Sequence, residues 1–141
     1  HHSNPKPARY DVPLPQIEDT VTEATNFVAS RKAGISRPPV IPALRGVILR
    51  DAEGNHNGTP YYIRDGKKII GSFNPNSYVI TLVRGYPHAT FVHECIHFVV
   101  HYNKVGDPKD PHPDWLRSDK YHFPFYMTQS FSTNHIDVCN F

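Results

Sequence analysis

Residues 87–103, PHATFVHECIHFVVHYN, decide how this chain is read. On a helical wheel of about 100° per residue, His93, His97, Thr90, His101 and Glu94 fall within a wedge about 100° wide. Phe91, Val92, Cys95, Ile96, Phe98, Val99 and Val100 fill the rest of the circumference. Such a helix wants burial on several sides while keeping one polar strip, as a helix lining a cleft does. Gly85-Tyr86-Pro87 introduces it, and Gly106 with Asp107-Pro108 is expected to stop it at about Asn103.

Outward from this helix the pattern changes. Short β-like runs precede it at Gly46 to Arg50, Pro60 to Arg64, Lys68 to Phe73 and Tyr78 to Arg84. Asp65-Gly66 is a hairpin signal, because glycine tolerates the positive φ of a two-residue turn. Asn57-Gly58 reads as another tight turn in preference to a glycosylation acceptor. From Gln16 to Lys32, Ile17, Val21, Ala24, Phe27 and Val28 recur at helical spacing, with Pro15 near the start and Gly34 past the end. Residues 1 to 15 carry Pro5, Pro7, Pro13 and Pro15 and read as an extended arm. His1-His2-Ser3 has the form of a purification-tag remnant, which leaves room for a native leader upstream. The expected fold is α+β over residues 16–141. It has an N-terminal helix, a three- to five-stranded mixed or antiparallel sheet, the polar-striped helix packed across it, and an irregular C-terminal part.

Whole-chain properties bound the alternatives. The 141 residues fit one core, as domains of roughly 100–150 residues do. Fifteen Lys and Arg against thirteen Asp and Glu leave a net charge of +2, which does not support a nucleic-acid partner. No apolar stretch reaches the ~20 residues a membrane span needs. Two cysteines, Cys95 and Cys139, allow one bridge and no disulfide framework. Cys95 lies on the side of the helix away from the polar strip and reads as a small core residue.

The chemistry sits in His93-Glu94-Cys95-Ile96-His97. With 10 His and 4 Glu in 141 residues, chance gives one HExxH in roughly 2% of such chains. The i,i+4 spacing places both imidazoles on one face, where they can ligate Zn²⁺ at ~2.0–2.1 Å. Glu94 sits beside them, where a general base for a metal-activated water belongs. This is the signature of the zincin metallopeptidases, and it implies zinc as cofactor and a protein or peptide as substrate. A zinc-binding protein without hydrolytic activity on the same scaffold is the alternative, with a protein side chain closing the fourth position.

A third ligand is needed. His101 lies about 12 Å along the axis from His93, too far for one ion to meet both. No Glu follows Glu94, which removes the gluzincin arrangement, and Val100 and Asn103 stand where a metzincin has Gly and His. HECIH followed fifteen residues after His97 by His112-Pro113-Asp114-Trp115 resembles the SprT-like (Spartan-type) metallopeptidases over residues 87–116. That resemblance implies ligation by His93, His97 and His112 with Glu94 as base, and Trp115 as packing support for His112. It departs at Pro113, where the family usually has Gly, and in lacking a Cys-rich zinc ribbon, so a DNA-associated role is carried over only as an alternative. An aspartate ligand, from Asp107, Asp110 or Asp114, remains the rival to His112. Tyr121, His122 and Tyr126 are candidates for an oxyanion donor. The run Tyr78 to Arg84 is the natural edge for a substrate strand, with an ordinary interior strand as the equal alternative.

Overall fold

Two Asx-Gly dipeptides set the register of the antiparallel half of the sheet. In the computed structural model Asn57 and Gly58 take φ of 51° and 88°, and Asp65 and Gly66 take 53° and 76°. Both central residues of each turn are left-handed, the condition for the two-residue turns that match strand twist. They join Gly54–His56 (β3) to Thr59–Arg64 (β4), and β4 to Lys67–Asn74 (β5). The structure describes residues 7–32, 34–35 and 39–105, with the backbone of strands 128–131 and 137–140.

The element order is Arg9–Tyr10 (β1), Leu14–Arg31 (α1), a short 3₁₀ turn, Gly46–Arg50 (β2), then β3, β4 and β5. Val79–Val83 (β6), His88–Tyr102 (α2), Thr128–Phe131 (β7) and Asp137–Asn140 (β8) complete it. The strands lie in the order β1-β2-β6-β5-β4-β3, with β8 also pairing β5 and β7 pairing β8. β1, β2 and β6 are mutually parallel, and the remaining pairings are antiparallel. The fold is α+β with a mixed sheet, larger than the three to five strands read from the sequence.

One difference concerns residues 7–13 of the extended arm, which are packed against the sheet. Arg9 and Tyr10 pair with Gly46 and Val47, Val12 is 4% exposed, and the Asp11 carboxylate accepts the Leu49 N–H at 3.0 Å. Prolines flank this strand instead of interrupting it, so its amides remain available.

α1 begins at Leu14 with Pro15 in its first turn, where a missing N–H costs nothing. Its buried face is Ile17, Thr20, Val21, Ala24 and Val28. That face meets Phe91, Val92, Cys95, Ile96 and Val99 of α2, and α2 in turn covers Phe73, Ile80 and Leu82 of the sheet in the same core. Thr90 through Val99 are therefore all buried. The stop of α2 comes from Lys104, ahead of Gly106. Lys104 takes φ +55°, its N–H donates to the His101 carbonyl and the Val105 N–H donates to the Val100 carbonyl. This is a Schellman closure with lysine in the left-handed position where glycine is usual.

Candidate metal centre

One helical turn separates His93 from His97, and the packing of α2 aims both rings at one point. Their Nε2 atoms lie 3.0 Å apart, and the rings are tilted at 73° with centroids 4.7 Å apart. One ring donates the shared hydrogen bond and the other accepts. Ligand atoms of His93, Glu94 and His97 all lie within 4.8 Å of one another, the only such group of three metal-capable side chains among the described residues. His93 and Glu94 are 0% exposed and His97 is 7% exposed.

This donor set fits zinc. Two nitrogens at ~2.0–2.1 Å in a tetrahedron are roughly 3.3 Å apart, so a few tenths of an ångström separate the observed pair from a ligating one. Two imidazoles and a carboxylate suit zinc chemistry, and burying all three in an apolar helix is costly without a shared partner.

Glu94 is fully buried. Its carboxylate lies against β5, where an added Cβ on Gly71 would sit 2.9 Å from Glu94 Oε2. Thr90, one turn earlier, flanks the same spot, with its Cγ2 3.3 Å from that position. The Thr90 hydroxyl is buried and has no hydrogen-bond partner among the described residues. Gly71 is the neighbour of Glu94 that sequence reading misses. Its one signal is a glycine inside a strand, Ile70-Gly71-Ser72, which marks a close approach of backbone to another group.

The other candidates separate from the centre. His101 Nδ1 bonds the Tyr78 hydroxyl at 2.8 Å, and its ring packs edge-on to Tyr78 and Phe73. Partial burial and then the Lys104 cation push its pKa below the usual imidazole value. Cys95 is a buried free thiol in the α1–α2 core, its pKa pushed well up by burial and then by Glu94 and Glu23. Tyr62 of β4 is 3% exposed, with the Arg50 guanidinium 4.1 Å above its ring; burial raises its phenol against the opposing pull of Arg50 and Arg64.

The substrate-edge expectation for Tyr78 to Arg84 is corrected: β6 is an interior strand, paired with β2 on one side and β5 on the other. Its backbone groups are already used in the ladder, so no peptide can add there. His112, Asp107, Asp110, Asp114, Trp115, Tyr121, His122 and Tyr126 lie outside the described residues. Comparison with protein-family models, with curated proteins and with solved structures returns no match for this chain.

Proposed function

We propose that this protein is a zinc-dependent metallopeptidase that hydrolyses peptide bonds of a protein or peptide substrate. The observation that carries the reading is the buried His93–His97 pair, Nε2 to Nε2 at 3.0 Å, with the Glu94 carboxylate beside it. His93 and His97 would hold the ion, with His112 as third ligand by likeness to the SprT-like peptidases over residues 87–116. A zinc ion held there would supply Lewis acidity, which polarises a carbonyl and makes water acidic near neutral pH. Glu94 would take a proton from the attacking water and deliver it to the departing amine. The packing of α2 against β5 leaves that carboxylate fully buried beside the two imidazoles.

A second reading has one observation in its favour. With His93 and Glu94 fully buried and His97 at 7% exposure, the same donors suit a closed zinc site in a protein that binds but does not hydrolyse.

Glu94→Gln separates the two. The peptidase reading expects zinc to remain bound at one equivalent while cleavage of an unstructured protein falls by about two to four orders of magnitude. Cleavage at the wild-type rate by Glu94→Gln overturns it.

A further inference from the structure

Gly71 occupies an interior strand, where glycine weakens the ladder relative to a residue with a side chain. Its backbone does not need glycine. β5 is extended there, and the left-handed glycines of the described chain are Gly34, Gly58, Gly66 and Gly85. What needs the glycine is space. An alanine methyl carbon at this position would lie 2.9 Å from Glu94 Oε2, 3.3 Å from Thr90 Cγ2 and 3.5 Å from Glu94 Cδ.

Three features make this contact a positional device. Glu94 is fully buried and cannot swing into solvent. α2 cannot retreat as a body, because Phe91, Val92, Cys95, Ile96 and Val99 on its flanks are packed in the same core as α1. β5 cannot bow away cheaply, since Gly71 is paired to Leu82 of β6 and to Cys139 of β8. Beside it, the β8 pairing slips between Ile69 and Gly71, the kind of irregularity that re-aims a strand next to a functional group.

We infer that Gly71 is a positioning residue: its missing side chain is the socket that sets where the Glu94 carboxylate stands relative to His93 and His97. This rests on the reading of Glu94 as the base. An added methyl would force the carboxylate to recede by about 0.5 Å to reach ordinary contact, which is the tolerance a catalytic group is held to. A displacement of that order costs about ten- to a hundredfold in rate.

The test is a cycle of four full-length, zinc-loaded proteins: wild type, Gly71→Ala, Glu94→Asp and the double variant. Aspartate is one methylene shorter and leaves room for the methyl. Gly71→Ala is expected to lower kcat about ten- to a hundredfold, with KM and zinc affinity held within about threefold because His93 and His97 are untouched. Added to Glu94→Asp, the same methyl should cost less than about threefold. Melting temperatures follow the same logic: Gly71→Ala lowers Tm in the presence of Glu94, and by clearly less when Glu94→Asp is already in place. Equal losses in both backgrounds, or a zinc affinity that falls together with kcat, would overturn the inference. If the wild type cleaves no peptide, the hydrolytic reading falls by itself, and the coupling between positions 71 and 94 in Tm still decides whether Gly71 seats the carboxylate.

Discussion

On the reading of Glu94 as a base, its burial should be a liability to the metal-free fold, and that liability can be measured directly. Its side chain is 0% exposed, with Gly71 at contact distance on one side and an α2 whose neighbours from Thr90 to Val99 are all buried. Removing a carboxylate from water costs several kcal/mol even after relaxation, and the polar contacts it makes inside return only part of that. Glutamine keeps the shape and one carbonyl oxygen, and a buried amide that is partly hydrogen-bonded costs about 1–3 kcal/mol less than such a charge. Glu94→Gln should therefore stabilise the zinc-free protein by about 1–3 kcal/mol. At about 2–4 °C per kcal/mol for a domain near this size, Tm rises by about 2–12 °C. The assay is a thermal melt in EDTA at pH 7.5, followed by circular dichroism and repeated with saturating zinc. The increment from zinc should survive the substitution, because the two nitrogen ligands remain. A Tm lowered by several degrees in EDTA would refute the reasoning, since it would make Glu94 a structural acceptor that the fold depends on.

The remaining expectations come from separate parts of the molecule. With zinc at a hundredfold excess over its Kd the wild type gains about 2.7 kcal/mol. His93→Ala or His97→Ala should lose most of that increment in melts with and without zinc, and full retention would count against ligation by this pair. Tyr78→Phe removes the 2.8 Å bond to His101 and should cost about 0.5–1 kcal/mol at pH 8. The folded-state pKa of His101 is depressed, by burial first and then by Lys104, so the unfolded chain takes up the proton more readily. Stability that depends on His101 staying neutral is then full above pH about 6.5 and is lost as the pH falls through the folded-state value. Urea titrations of the wild type and His101→Phe at pH 8 and pH 5 read it, and an equal loss on acidification in both would contradict this. Gly66→Ala places a methyl where nothing lies within 4 Å but where φ is +76°. Its cost should be about 1–2 kcal/mol from backbone strain alone, measured by urea unfolding, with zinc affinity unchanged.

The elements that the sequence discloses are those whose cause is local. Asn57-Gly58 and Asp65-Gly66 carry their own φ requirement, so both turns are readable although β3 is not, and the apolar wrap of residues 91–100 declares a buried helix before any partner is known. β1 is hidden because two residues among prolines have no periodicity to display; it exists only through its pairing with Gly46 and Val47. The device that ends α2 is hidden as well, because a lysine takes the left-handed position. Within the site, HExxH spacing alone brings His93 and His97 together, since i,i+4 is a property of any helix. Gly71 is not legible, because its meaning depends on which strand lies under Glu94. That is settled by the β6-β5 pairing and by α2 crossing both strands, at a separation of more than twenty residues.

The same topology bears on how a substrate could reach the triad. β6 has a partner on each side, and β5 is paired to β6, β4 and β8, so a peptide approaching Glu94 finds no open ladder on either strand beneath α2. On the sheet side the carboxylate already stands against Gly71, where an added Cβ would lie 2.9 Å from Glu94 Oε2. Of the three donors, His97 alone has measurable exposure, at 7%. On the peptidase reading, a carbonyl would approach from the His97 side and meet the base from the side opposite β5. Substitutions that narrow the approach at His97 should then raise KM, whereas those at Gly71 should lower kcat. The two faces of one helix turn would divide binding from chemistry.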